Sequence, residues 1–259
     1  MRSTRNIARR GGVAVALSAI TVLVAGCSSA DSDGVSPPTA TASSSLVTDP
    51  SSAATPAATP RSCSSSGSSV PSDARTAPTI DVDDDGRADE QWVTPGGEFG
   101  ITTASGRTAS VRPTDFSGGA EPAALVADAT GAGDVVMLVS GSREVDLYRW
   151  IDCTLAPVTD THGDPYRFDL TGQNGTGVGC INVDGARHLV GLLASQPAGA
   201  PGDAGSIAVT IIELDGTTAT NGPTMTGAPA GDAMDAASRV SCGDRILEDD
   251  GISIVQPAR

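Results

Sequence analysis

The C-terminal part of the chain, residues 79–259, consists of short apolar runs separated by turn dipeptides. The runs are rich in β-branched residues: VVMLV at 135–139, IAVTII at 207–212 and ISIV at 252–255. Asn-Gly and Asp-Gly pairs, which favour tight hairpin turns, follow at 174–175, 184–185, 215–216, 221–222 and 250–251. Few windows have the apolar period of a helix. The pattern predicts an all-β domain with about a dozen or more short strands.

The first 27 residues have the pattern of a bacterial secretory signal. MRSTRNIARR carries four arginines and no acid, and a short apolar run at 11–26 follows it. The run ends in LVAGC at 23–27, which resembles the bacterial lipobox. The resemblance implies that Cys27 is lipidated and becomes the first residue of the mature protein. We therefore expect an extracytoplasmic protein anchored to the outer face of the cell membrane; an ordinary signal peptide with a chance cysteine is the alternative.

Residues 28–78 differ in composition from the rest of the chain. Ser, Thr, Ala and Pro dominate this stretch, and large apolar side chains are almost absent. Such a segment cannot bury enough apolar surface to offset the entropy lost on ordering. The composition predicts a disordered linker at 28–78 between the signal peptide at 1–27 and the folded domain at 79–259.

The charge of the chain excludes several classes of function. The net charge is −15 and every basic residue is arginine. Binding to nucleic acid depends on neutralising phosphates with Lys and Arg, so a nucleic-acid partner is not expected. The absence of lysine also excludes P-loop, Schiff-base and Ser-Lys chemistry.

Four cysteines follow Cys27 in the chain, at positions 63, 153, 180 and 242. An even number of cysteines in an exported protein predicts disulfides, and four cysteines allow three pairings. We favour Cys153 with Cys180, which closes a short loop, and Cys63 with Cys242, which joins the start of the domain to its end. A zinc site is the competing interpretation, but the C-x-x-C spacing is missing.

Three segments of the domain share one pattern, an acidic turn with glycine followed by an apolar strand. They are IDVDDDGRADEQWV from Ile80, VADATGAGDVVMLV from Val126 and CINVDGARHLVGLL from Cys180, with a fainter fourth copy from Ile211. Alignment on glycine places Gly86, Gly131 and Gly185 in register. Repeats of about 50 residues have the size of one four-stranded propeller blade.

The first copy resembles the calcium loop of FG-GAP or VCBS repeats. The sequence DVDDDGRADEQWV, residues 81–93, follows that family's pattern D-x-D-x-D-G-x-x-D with an apolar strand after it, and Phe99-Gly100 resembles the other half of the family signature. The resemblance implies a β-propeller. Residues 79–259 have room for about three to four blades, so the expected fold is a small, propeller-like all-β domain.

The resemblance and the spacing of the acids together predict a calcium site. Calcium prefers six to eight oxygen ligands, which acids at alternate positions can supply when the backbone wraps around the ion. The predicted side-chain ligands are Asp81, Asp83, Asp85 and Asp89, and the predicted main-chain ligand is the carbonyl of Arg87. An EF-hand is excluded because its twelfth position needs an acid and here is Trp92. An acidic turn without metal is the remaining alternative.

The other copies have lost ligands. The second keeps Asp128, Thr130 and Asp134, and the third keeps Asn182 and Asp184. We expect hydrogen bonds alone to hold these turns and the chain to bind one calcium ion.

The sequence contains little that indicates catalysis. His162 lies in a Gly- and Pro-containing turn, His188 falls within the third repeat, and a G-x-S-x-G nucleophile motif is missing from the domain. We therefore predict a lipid-anchored, surface-exposed, non-catalytic domain that binds a protein or a glycan at the cell envelope. The alternative is an acid-based hydrolase or lyase on the same small scaffold.

Overall fold

The computed structural model describes residues 63–64, 68–114, 121–141, 143–170, 175–195, 205–227 and 236–255. The predicted signal peptide, Cys27 and residues 28–62 of the predicted linker lie outside these ranges. All described residues belong to one compact unit, Thr55–Arg259. None of the helices within the described ranges is long and apolar enough to cross a membrane.

The regular secondary structure of the described residues is almost entirely strand, which confirms the all-β prediction. One helix, α1 (Leu247–Asp250), is a single turn long. The strands are β1 (Arg75–Pro78), β2 (Glu90–Val93), β3 (Phe99–Thr102), β4 (Thr108–Val111), β5 (Ala123–Asp128), β6 (Val135–Ser140), β7 (Glu144–Ile151), β8 (Thr154–Pro157), β9 (Arg167–Asp169), β10 (Thr176–Val183), β11 (Ala186–Ser195), β12 (Ser206–Asp215), β13 (Thr218–Gly227), β14 (Ser241–Cys242), β15 (Arg245–Ile246) and β16 (Ile252–Ser253).

Three antiparallel sheets organise these strands, and each contains a four-stranded meander. The first sheet has the order β1-β2-β3-β4, and the third sheet has the order β10-β11-β12-β13. The central sheet contains β5-β6-β7-β8, with β16 added beside β5 and β9 paired to β7. Strands β14 and β15 form a separate two-stranded ribbon.

The central sheet is buried on both faces. Every residue of β6 is buried, and successive side chains of a strand point to opposite faces. Val136 and Leu138 therefore belong to one core, and Val135, Met137 and Val139 belong to the other. A continuous apolar run without polar alternation is expected for a strand covered on both sides.

The first and third sheets cover these two faces. One core joins the central sheet to the first sheet through Val93, Phe99 and Ile101. The other joins it to the third sheet through Val178, Leu189 and Ile212. A smaller apolar cluster on the third sheet, with Val190 and Leu192 as members, packs against Ala237.

The four cysteines form two disulfides, but the predicted pairing is wrong. The bonds join Cys63 to Cys153 and Cys180 to Cys242. Cys153 contacts the core of the first sheet, whereas Cys180 lies in the core of the third sheet, and the central sheet separates them. Each observed bond closes within one core. On the chain-entropy model, loops of 90 and 62 residues correspond to about 4 to 5 kcal/mol each.

The folded part begins before the predicted boundary at residue 79. Strand β1 lies in the predicted linker and pairs with β2, with Arg75 opposite Val93 and Pro78 opposite Glu90. In this four-residue edge strand, apolar and polar residues do not alternate clearly, and its Pro and Ala resemble the preceding linker in composition. Composition alone therefore placed the boundary too late.

The three predicted repeats lie at equivalent places, between the first and second strands of each meander. Residues 79–89 join β1 to β2, residues 129–134 join β5 to β6, and Asp184-Gly185 joins β10 to β11. The fainter copy from Ile211 is not equivalent, because its Asp215-Gly216 pair joins the third strand to the fourth.

Gly100 has a packing role in the first sheet. It lies opposite Trp92, whose side chain is 1% exposed. A Cβ atom at position 100 would overlap the Trp92 ring and lie 2.7 Å from the carbonyl oxygen of Ala109. In the Phe99-Gly100 pair, Phe99 is a fully buried aromatic residue, and Gly100 leaves the space that the Trp92 ring occupies.

We predict that Gly100→Ala lowers the free energy of unfolding by about 1 to 3 kcal/mol, because the added methyl overpacks the sheet. The matched control is Gly191→Ala on β11, where a Cβ would make an ordinary 3.7 Å contact with Phe168. Urea unfolding of both variants measures the difference. Equal stability of the two variants would contradict this account of Gly100.

Candidate metal site

The acidic loop connects β1 to β2 at one end of the first sheet. Its base is closed by two main-chain hydrogen bonds, from Thr79 to Asp89 at 2.8 Å and from Asp89 to Ile80 at 3.4 Å. Between these residues the chain turns through two positions with positive φ, Asp84 at 57° and Gly86 at 84°. Asp and Gly are the residues that most readily adopt this conformation.

The carboxylate of Asp81 organises the turn. It accepts the main-chain N–H of Asp85 at 3.1 Å and that of Gly86 at 2.6 Å. Short acidic side chains commonly cap turns in this way because they reach main-chain donors a few residues ahead. The remaining lone pairs of Asp81 stay available to other partners.

Three of the predicted ligands converge. One carboxylate oxygen from each of Asp81, Asp83 and Asp89 lies within 4.8 Å of the others. Two oxygens bound to one calcium ion at about 2.4 Å cannot be more than about 4.8 Å apart, so the spacing fits a shared ion. Asp85 is outside this triad, and its carboxylate accepts the N–H of Arg87 at 2.9 Å. The Arg87 carbonyl stays a predicted ligand.

Asp89 forms the deep side of the triad. It is 2% exposed, and its two oxygens accept the N–H groups of Val82 and Ala104, both at 2.7 Å. The pKa of Asp89 is raised to about 6, mainly by burial and also by the nearby Asp83 and Asp81, while the two main-chain donors oppose the rise. Ala104 belongs to the β3–β4 hairpin, and nothing in its sequence signals this role.

Asp83 has one satisfied and one unsatisfied oxygen. Its side chain is buried, with 3% exposed, and Oδ2 accepts the N–H of Cys63 at 2.9 Å. Oδ1 is fully buried and has no hydrogen-bond partner. A buried polar atom without a partner is unfavourable by about 1 to 3 kcal/mol. Bound calcium would remove this deficit, because carboxylate oxygen is its preferred ligand.

Positive side chains do not neutralise the triad. None of the ion pairs formed within the described residues includes Asp81, Asp83 or Asp89. At an effective dielectric constant of about 20, two unit charges 4.8 Å apart repel by about 3 kcal/mol. The donor set, its charge and the orphaned oxygen all fit a bound divalent cation.

A cleft of about 580 Å³ opens beside the triad. Asp81 and Asp83 line it, and Asp89 does not. Its other walls come from the second acidic turn and from the β7–β8 hairpin, and they include Val135, Trp150 and the exposed Asp152. Two residues of the triad therefore border the cleft, and of these Asp83 has a buried side chain.

Hydrogen bonds hold the second acidic turn, although not alone as predicted, because an ion pair also contributes. The Asp128 carboxylate accepts three main-chain N–H groups, from Thr130 at 3.1 Å, Gly131 at 2.8 Å and Gly133 at 2.9 Å. The bond from Gly133 reproduces that from Gly86 to Asp81, and both glycines have positive φ. Gly133 is thus the counterpart of Gly86, and the predicted alignment with Gly131 is wrong by two residues.

In this second turn the positive charge comes from an arginine side chain. Asp134 forms an ion pair with Arg149 of β7 and accepts the Thr130 hydroxyl at 2.9 Å. In the third repeat, Asp184 and Gly185 have φ of 51° and 86° and form a two-residue hairpin turn, which has no room to wrap an ion. Within the described ranges, the triad is the one group of three or more potential ligands of this kind.

Neither histidine belongs to the triad. His162 is exposed, and its Nδ1 lies 3.5 Å from Asp160. His188 lies on β11 opposite Ile181, not in a loop.

A second buried acid, Asp146, has its pKa raised by burial, and the Arg167 guanidinium 2.7 Å away opposes this rise. Since Asp146 and Arg167 are cross-strand partners of β7 and β9, their ion pair joins two strands.

We predict that the metal-free protein loses stability as the pH rises from about 4 to 6.5. The folded-state pKa of Asp89 is above its ordinary value of 3.8, so the folded state binds its proton more tightly than the unfolded state does. The stabilisation is complete below the unfolded pKa and is lost as the pH rises through about 6. The expected loss is about 2 to 3 kcal/mol.

Urea unfolding of metal-depleted protein across this range tests the prediction, with Asp89→Asn as the control that cannot titrate. The variant lacks the Asp89 contribution to the slope, whatever its absolute stability. Parallel pH profiles for the two proteins would show that Asp89 does not titrate as expected.

Comparisons with known proteins add no assignment to this geometry. No protein-family model, curated protein or solved structure matches the chain. The interpretation of the site therefore rests on its own residues, distances and charges.

Proposed function

We propose that the chain is a lipid-anchored, extracytoplasmic, non-catalytic β-domain that binds one calcium ion and a protein or glycan partner at the cell envelope. The observation that carries the calcium assignment is the buried Oδ1 of Asp83. It faces no donor and belongs to a triad of carboxylates whose spacing suits one ion. Bound calcium supplies positive charge that lets three acids remain ionised in a buried loop.

Calcium fits the site better than other common cations do. The triad offers oxygen atoms only, whereas structural zinc is usually bound by Cys and His. Magnesium demands near-ideal octahedral geometry and keeps several waters, and calcium tolerates irregular loops. Asp81, Asp83 and Asp89 would hold the ion, with the Arg87 carbonyl and Asp85 as the further predicted ligands. Weak affinity, on the order of 10⁻⁴ to 10⁻³ M, is typical of extracellular modules.

We also propose that the three meanders are the blades of a small, open, propeller-like stack. Each has four antiparallel strands in sequential order, which is the composition of a blade. The position of each acidic turn or tight turn between the first two strands supports an origin by repetition. The fold then serves as a rigid support for the loops at one end of the sheets.

The proposed location follows from the N-terminal residues. The arginine-rich start, the apolar run and LVAGC favour export and lipidation of Cys27. The two disulfides are compatible with an oxidising compartment outside the cytoplasm.

The proposal of a non-catalytic role rests on the burial of the perturbed acid. Acid–base catalysis needs a carboxyl group with a shifted pKa that reaches the substrate. Asp89 has such a pKa but does not line the cleft, and main-chain donors occupy both of its oxygens. This arrangement favours a structural metal ligand over the alternative of an acid-based hydrolase or lyase.

Thermal unfolding of the oxidised full chain tests the calcium assignment. A ligand that binds only the folded state at about 10 mM adds roughly 1.5 to 3 kcal/mol for the affinity given above, which raises Tm by several degrees. We expect this rise, relative to chelator, in the wild type and its absence in Asp83→Asn.

The matched control is Asp84→Asn, which removes the same charge from an exposed neighbour outside the triad. It should keep the calcium-dependent rise in Tm. A rise that survives in Asp83→Asn, or is lost equally in both variants, would count against a site at the triad.

Membrane anchoring has its own test. Cys27→Ala should move the protein from the membrane fraction to the soluble extracytoplasmic fraction, because the sulfur that carries the lipid is gone. Fractionation followed by immunoblotting measures the distribution. Retention of the variant in the membrane fraction would contradict anchoring through Cys27.

A further inference from the structure

Cys63 contacts the triad although it lies 20 residues before Asp83 in the chain. Its main-chain N–H donates to Oδ2 of Asp83 at 2.9 Å in a buried position, and the residue is 3% exposed. This hydrogen bond restrains the Asp83 carboxylate at Oδ2. The second oxygen, Oδ1, is left without a partner.

Covalent and polar contacts outside any strand hold Cys63 in this position. The residue belongs to no strand, and the first strand begins only at Arg75. Its disulfide joins it to Cys153 in the β7–β8 hairpin. The Ser105 hydroxyl donates to the Cys63 carbonyl at 2.5 Å, and the Arg107 guanidinium donates to the Cys153 carbonyl at 2.8 Å.

We propose that the Cys63–Cys153 disulfide is a positioning element of the metal site, so that only the oxidised domain binds calcium at full affinity. This inference rests on the proposed function. Without the bond, residue 63 is held near the loop by hydrogen bonds alone. If the hydrogen bond from the Cys63 N–H is lost, the Asp83 side chain can rotate and both of its oxygens lack a partner. A bound ion can then satisfy these oxygens only in part.

The coupling must be reciprocal. If the disulfide raises calcium affinity by some factor, calcium raises the stability of the disulfide against reduction by the same factor. Loss of one hydrogen bond to a charged group corresponds to a factor of at least about ten. Cys180–Cys242 lies in the core on the opposite face of the central sheet and is the internal control.

The first experiment uses the wild-type chain. Oxidised protein is equilibrated with reduced and oxidised dithiothreitol, with calcium or with chelator, and free thiols are trapped and mapped by mass spectrometry. Each reduction of Cys63–Cys153 takes two electrons and two protons from one dithiothreitol, which closes to its cyclic disulfide. We expect calcium to lower the reduced-to-oxidised ratio of this pair about tenfold and to leave Cys180–Cys242 unchanged.

An unchanged ratio for Cys63–Cys153 would overturn the proposal. An equal shift for both disulfides would overturn it as well, because calcium would then stabilise the fold as a whole and not this bond in particular.

The second experiment measures calcium affinity by titration calorimetry in two double variants, Cys63→Ser with Cys153→Ser and Cys180→Ser with Cys242→Ser. Both remove one long-range disulfide, so both should lower Tm in chelator. Only the first should weaken calcium binding, by about tenfold, because only its disulfide orients a ligand. Equal calcium affinity in the two variants and the wild type would overturn the positioning role alone. Absence of calcium binding by the wild type would overturn the proposed calcium function itself.

Discussion

Burial of the central sheet on both faces is the constraint on which the rest of the molecule depends. Because every residue of Val135–Ser140 is buried, side-chain parity alone decides which of the two cores each residue joins. The same division applies to the cysteines, since a bond can form only between residues on one side of the sheet. Cys63–Cys153 and Cys180–Cys242 each close within one core. The two cores are thus stabilised separately, by apolar burial and by one long covalent loop apiece.

The acidic loop depends on this stacking. The first sheet packs on the face of the central sheet that carries Trp150, and the adjoining β7–β8 hairpin reaches the loop through Cys153. Hydrogen bonds from distant main-chain donors, at Cys63 and Ala104, hold two acids close together against their mutual repulsion. In the second turn Arg149 supplies the opposite charge directly. The repulsion between neighbouring acids is therefore offset by main-chain hydrogen bonds in the first turn, whereas an arginine supplies opposite charge in the second.

Local features were predictable from the sequence and long-range features were not. Short β-branched runs predicted the strands, and two of the Asx-Gly pairs, Asp184-Gly185 and Asp215-Gly216, lie at hairpins, because these signals act within a few residues. Asn221-Gly222 was wrong as a turn signal, since it lies within β13. The alternate acids predicted Asp81, Asp83 and Asp89, which the fold brings together. The pairing of the cysteines depends on which face of the central sheet each one reaches. The main-chain donor at Ala104 depends on the packing of a separate hairpin.

The disulfide at Cys63 also determines how a mechanical load enters the domain. A pull on the chain before residue 63 passes through the sulfur atoms to the β7–β8 hairpin at Cys153. Residues 64–152, which include the whole first sheet and the carboxylate triad, lie inside the covalent ring and outside this load path. A force on the chain before residue 63 would therefore reach the β7–β8 hairpin through a covalent bond, and the main chain of the first sheet and of the acidic loop would not have to transmit it.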